Sequence, residues 1–233
     1  MHTLANPVEL PHGVREYLFY DSNGFGNDPV QFRLTYSGPL FASTNRDPQA
    51  NHKQQLRKHF HRQLKRLWQA FPHLQEPETR FPDEVVIARN WDSLPPKRAE
   101  YLANEFQYNG YRYVPLVTKD LVLACAVDIL FLRPDTPGGV VKGGDIDNRI
   151  KTLFDGLKIA TQRHELGEYL TPDDDENPFF CLVEDDSLIS SISVETDMVL
   201  EPIGGVPQKN DARLVITITL KPTRLTWANM GFV

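Results

Sequence analysis

The stretch GGDIDNRIKTLFDGL, Gly143 to Leu157, constrains this chain more than any other. Its apolar residues Ile150, Leu153, Phe154 and Leu157 recur at i, i+3, i+4 and i+7, which is the buried stripe of an amphipathic helix. Asp147, Lys151, Asp155 and Lys158 recur one turn apart on the opposite stripe, so acids and lysines are presented together on one face. Asp145 and Asp147 stand two apart just after the glycines. On an extended or turning backbone such a pair shares one side, so the pair is expected at the strand-like approach to the helix.

Strand candidates flank this helix. Gln31–Tyr36 alternates apolar and polar residues and ends at Ser37-Gly38-Pro39. Tyr111–Val117 and Leu121–Leu132 read as strands joined by a turn at Thr118-Lys119-Asp120, the second apolar nearly throughout, as in a strand covered on both faces. Leu188–Val194 has strand period, and Ala212–Leu220 is rich in β-branched residues. Asn51–Phe71 places Leu56, Phe60, Leu64, Leu67, Trp68 and Phe71 on one helical face, and Pro72 stops it. Lys97–Phe106 reads as a short helix after Pro95-Pro96, while Glu84–Arg89 fits a strand or a helix fragment equally. Arg163–Phe180 is expected to be a long loop or small insertion whose acidic cluster, Asp173-Asp174-Asp175-Glu176, is solvated.

Charge is segregated along the chain. The formal net charge is −6, whereas nucleic-acid binders are usually basic overall. Yet Asn51–Gln75 carries Lys53, Arg57, Lys58, Arg62, Lys65 and Arg66 without a single acid. Lys58, His61, Arg62, Lys65 and Arg66 fall opposite the apolar stripe, which suggests an anion-facing surface as the alternative to an ordinary solvated face. Met1–Val14 lacks the basic-then-apolar order of a secretory leader and no run is long enough to span a bilayer, so a cytoplasmic protein without membrane contact is expected. Cys125 and Cys181, the two cysteines, lie in apolar strand-like runs and read as reduced, buried small hydrophobes.

Carboxylates gathered without cysteine or ligand-spaced histidine suit hard cations, Mg²⁺ or Mn²⁺ rather than Zn²⁺. Asp145 and Asp147 are the first candidates, and Asp185-Asp186, just before a predicted strand, is the natural source of a third acid. A cation held there would draw charge from a phosphoryl oxygen and activate water for phosphodiester hydrolysis. Lys151 would touch the scissile phosphate. The competing reading makes Lys151 an i,i+4 ion-pair partner of Asp147 or Asp155 and makes the aspartates plain helix caps.

The segment DIDNRIKTLFDGL, followed by EDDSLI and then by RLVITITL, closely resembles the RusA family of Holliday-junction resolvases. That resemblance implies an α+β fold, a mixed β-sheet with helices packed against it. It divides the chain into an irregular extension over 1–30, one nuclease domain over 31–220 with insertions near 77–106 and 163–180, and a tail over 221–233. It further implies a Mg²⁺-dependent endodeoxyribonuclease, with Mn²⁺ as substitute, that acts as a homodimer on branched or four-way DNA. Carried over by position, Asp145, Asp147 and Asp186 are the metal-binding and catalytic carboxylates and Lys151 the catalytic lysine. Asn148 and Asp155 match family positions too, with helix capping by Asn148 and orientation of Lys151 by Asp155 as alternatives to direct roles. Asp185 ranks behind Asp186 as a supporting group. If DNA is the partner, Lys58, Arg62, Lys65, Arg66, Lys142 and Lys158 are the expected phosphate contacts. The family's basic run before the first Asp is reduced here to Arg133 and Lys142, and the Leu157–Asp185 spacer is long. The alternative is therefore a catalytically inactive DNA-binding or protein-interaction module on the same fold.

Overall fold

The computed structural model describes residues 30–44, 49–75, 97–134, 145–201, 205, 208–226 and 229–232. The expectations for the 1–30 extension, Glu84–Arg89 and Lys142 thus fall essentially outside the described residues. The described residues form an α+β domain with seven strands and four helices. In order these are β1 (Gln31–Pro39), α1 (Ala50–Ala70), α2 (Pro72–Gln75), α3 (Arg98–Glu105), β2 (Gln107–Tyr108), β3 (Tyr111–Val117) and β4 (Leu123–Arg133). Then follow α4 (Asp145–Leu157), β5 (Phe179–Val183), β6 (Ile189–Met198) and β7 (Asp211–Pro222). One sheet has the order β1-β7-β4-β6, antiparallel except for the parallel β4–β6 pair, and a second has the order β2-β3-β5 with β3 and β5 parallel.

Side-chain period sets the layers. In β7, Leu214, Ile216, Ile218 and Leu220 are buried while Arg213, Val215, Thr217 and Thr219 between them are only partly covered, so helices cover one face of this sheet. Burial on both faces, expected for the whole of β4, holds only over Leu123–Val127. From Asp128 onward alternate residues reach solvent. Against the covered face pack Leu56, Phe60, Leu64 and Trp68 of α1 with Ile146, Ile150, Leu153 and Leu157 of α4. Gly156 lets the two helices meet: a Cβ there would lie 2.7 Å from the Leu56 Cβ. Phe71 ends α1 in an extended conformation, as the residue before Pro72 must, with its N–H still bonded to the Leu67 carbonyl at 2.9 Å.

Two segments are more ordered than their composition suggests. Arg163–Phe180 holds short 3-10 turns at Arg163–Leu166 and Asp174–Glu176 and runs into β5, the strand of the apolar run around Cys181, which begins at Phe179 inside the expected loop because so short an apolar run has no alternation to mark its start. The tail also joins the core: Phe232 is fully buried and stacks on Phe71, with the Arg98 guanidinium 5.7 Å from its ring centre. β1 and β6 form the edges of the four-stranded sheet. The Thr35 backbone on β1 is closed off by Gln63, which accepts from its N–H at 2.9 Å and donates to its carbonyl at 2.7 Å. No helix among the described residues is long and apolar enough to cross a membrane.

Candidate active site

Asp147, Lys151 and Asp155 stand on α4 one turn apart, and Asp186 reaches the same place from far along the chain. The tie is local. Past the end of α4, Lys158 bridges to Val183 and the Ile159 N–H donates to the Val183 carbonyl at 3.3 Å, which fixes the end of β5 against the end of α4. Three residues on, Asp186 opens a 3-10 turn before β6 enters its sheet beside β4. The result is a pocket of about 420 Å³ lined by Asp147, Lys151, Asp155 and Asp186 on its charged side and by Ile146, Ile150, Phe154, Ile192 and Val194 on its apolar side.

Within it, Asp147 and Lys151 are exposed, and neither has an ion-pair partner among the described residues. The i,i+4 pairing offered as the plain alternative for Lys151 is therefore not formed. Asp155 does not orient Lys151 either: it is clamped between Lys53 at 2.7 Å and Lys158 at 3.1 Å. Burial alone would raise the Asp155 carboxyl, but the Lys53 hydrogen bond and both ammonium charges outweigh that and hold it below the usual carboxylate range. Lys158 extends the chain of charges to Asp186 at 3.6 Å. Burial by itself would lower the Lys158 ammonium, yet Asp155 and Asp186 keep it raised.

Asp185 turns away from direct service: its Oδ1 accepts the Ser187 N–H at 2.9 Å, which caps the 3-10 turn and lowers its pKa. Asp145 opens α4, so Asp145 and Asp147 both lie in the first helical turn. Positions two apart there stand roughly 200° apart around the axis, rather than on one side of an extended approach. The Asp145 carboxylate itself lies outside the described residues. Asn148 is half-buried inside α4, past the capping position, with its carbonyl accepting from Thr152 Oγ1 at 2.9 Å.

The basic face of α1 is not the open anion-facing surface its lack of acids suggested. Lys58 binds Asp173 at 2.7 Å and Glu176 at 3.0 Å, and Lys65 donates to the Asp175 carbonyl at 2.5 Å. The acidic cluster is thus not purely solvated, since Glu176 is buried beneath Lys58. His61, placed by sequence on the outer face, is buried, its Nδ1 accepting the Phe180 N–H at 2.8 Å. Arg57 is also buried, donating to the carbonyls of Lys158 and Glu165 at 3.1 and 3.0 Å. Arg62 and Arg66 remain exposed. Of the six expected phosphate contacts, Lys58 and Lys158 are engaged in ion pairs, Lys65 is held by a carbonyl, and Lys142 lies outside the described residues.

Sequence reasoning did not single out Lys53 as the Asp155 partner, nor the Ile192 and Val194 wall. The signal for Lys53, Arg57 and His61 was present: Arg57, His61, Leu64 and Trp68 follow the i, i+4, i+7, i+11 spacing of one helix face, and Lys53 stands one turn before Arg57. No family model, curated protein or solved structure matches this chain.

Proposed function

We propose that this protein is a divalent-metal-dependent endonuclease that hydrolyses phosphodiester bonds in branched DNA. The observation that carries the reading is the meeting of Asp147, Lys151 and Asp186 around one pocket, although Asp186 comes from a separate segment. The donor chemistry fits Mg²⁺, with Mn²⁺ as substitute: the carboxylates are exposed oxygen donors, and both cysteines are buried away as free thiols that burial pushes up to about 12. Among the described residues no group of three or more His, Cys, Asp or Glu gathers as a metal site, so Asp147 and Asp186 are the two carboxylates that would hold the ion, with water or substrate oxygens completing its shell. Bound there, the ion would supply charge neutralisation at the phosphoryl oxygen and a more acidic water.

The chain's own groups then have distinct tasks. Lys151, which no carboxylate among the described residues claims, is available to hold a non-bridging phosphate oxygen and to offset charge that develops there. Lys158, braced by Asp155 and through it by Lys53, holds Asp186 at the pocket. The competing reading, an inactive DNA-binding or interaction module, draws on the tying-up of Lys58 and Lys65 by the acidic segment.

Labelled four-way, forked and linear DNA incubated with the protein in Mg²⁺ separates the two. Cleavage of the branched substrates, abolished in Asp147→Asn and reduced in Lys151→Met, is expected. An Asp147→Asn protein that still cuts at the wild-type rate defeats the nuclease reading. Absence of cutting together with no calorimetric Mg²⁺ binding that depends on Asp145 and Asp147 favours the inactive module.

A further inference from the structure

The pocket is larger than a phosphate group needs and only one of its sides is charged. Ile192 and Val194 sit opposite Val127 and Ile129 in the parallel β4–β6 register, so they continue the inward, apolar face of the sheet. Val127 and Ile129 are buried, but that face runs out past α4 at β6, and Ile192 is left 52% exposed. Half-buried Phe154 on α4 faces into the same pocket beside Lys151 and Asp186.

Resting on the nuclease reading above, we infer that this apolar side seats an unpaired nucleobase adjoining the phosphate held by Lys151. Asp155 is already offset by Lys53 and Lys158, so with a divalent ion offsetting Asp147 and Asp186 a ligand that is anionic at one end and flat and apolar at the other matches both sides at once, as a nucleotide does. A protein segment or second copy of the chain would cover Ile192 but bring no phosphate to Lys151. Duplex DNA keeps its bases stacked inside, so the base that enters must already be unpaired or be turned out of the stack. The site thereby selects DNA with a free nucleotide at a branch, and selects it through shape and apolar contact rather than through base-edge hydrogen bonds.

The test uses the full-length protein and a short forked DNA, with and without Mg²⁺. The nucleotide at the branch is normal, 2-aminopurine or abasic. The wild type is expected to bind the normal fork roughly tenfold more tightly than the abasic fork, and to raise 2-aminopurine fluorescence as that base leaves its neighbours. Ile192→Ala, an exposed position where folding is little affected, is expected to bind both forks equally and to leave the fluorescence unchanged. Equal wild-type affinity for normal and abasic forks overturns the proposal, even if both are cleaved and the nuclease reading stands. Base-dependent binding without cleavage in Mg²⁺ preserves the seat and removes the nuclease. A shift of Ile192→Ala from dimer to monomer on size-exclusion chromatography also overturns it, by showing that another copy occupies the face.

Discussion

Replacing Asp155 with Asn tests the charge chain that braces the site. Its carboxylate is only 13% exposed and is shared by Lys53 at 2.7 Å and Lys158 at 3.1 Å, whose side chains are 13% and 22% exposed. Removing one partner of a buried pair costs about 3–5 kcal/mol, because the other charge stays buried and uncompensated. Here Lys158 keeps Asp186 at 3.6 Å, and the new amide oxygen still accepts one hydrogen bond, so the expected loss falls just below that range, at about 2–3 kcal/mol. Urea unfolding should show it as a fall in midpoint of roughly 1 M at unchanged slope, for a slope of about 2–3 kcal/mol/M. Adding Lys53→Met should cost much less in the Asp155→Asn background than alone, since the stranded ammonium is then gone. Acid titration adds an independent check. With the folded carboxyl held below its unfolded value of about 3.9, its stabilisation is complete above about pH 4 and is lost as pH falls through the folded pKa. The variant should therefore lose less stability over that acid range. A change within about 0.5 kcal/mol of wild type at pH 7, the spread of ordinary surface substitutions, would refute the bracing argument.

Gly156→Ala should destabilise by about 1–3 kcal/mol in the same assay, although Ala is the better helix former, because the added methyl collides with Leu56 across the α1–α4 contact. His61 sits with its Nδ1 lone pair on the Phe180 N–H and its Nε2 3.3 Å from the Asp175 carbonyl, and burial lowers its pKa in spite of nearby Asp175 and Glu176, with Lys65 adding to the lowering. Stability that is complete above about pH 6.5 should decline as pH falls below it, and His61→Gln should flatten that decline in urea midpoints measured across the acid range.

The elements with a strong period were legible in the chain. The alternation of Leu214, Ile216, Ile218 and Leu220 and the stripe of Ile150, Leu153 and Leu157 bury as their spacing demands. Asp186 as the partner of Asp147 at one pocket was legible too, from an acid placed just before a strand. What did not read out were pairings between distant segments. Nothing local to Lys58 announces that Glu176 will be buried against it, because an ion pair across that span leaves no periodic trace. The missing acids in Asn51–Gln75 reflected carboxylates supplied by another segment rather than an absent partner. Ile192 looked like any strand residue, and nothing in its local sequence marks it as the exposed end of an otherwise buried apolar face.

The capture of Lys53, Lys58 and Lys65 by internal groups alters how the molecule would meet a polyanion. At a net charge of −6 the molecule as a whole repels DNA, an effect that salt screens beyond a Debye length of about 8 Å in physiological conditions. Encounter is then slowed by electrostatics, so raising the salt would speed association while weakening the contacts made after docking. If DNA is the partner, it is found slowly and discriminated at close range, the reverse of a basic binder that is drawn to any duplex and sorts afterwards.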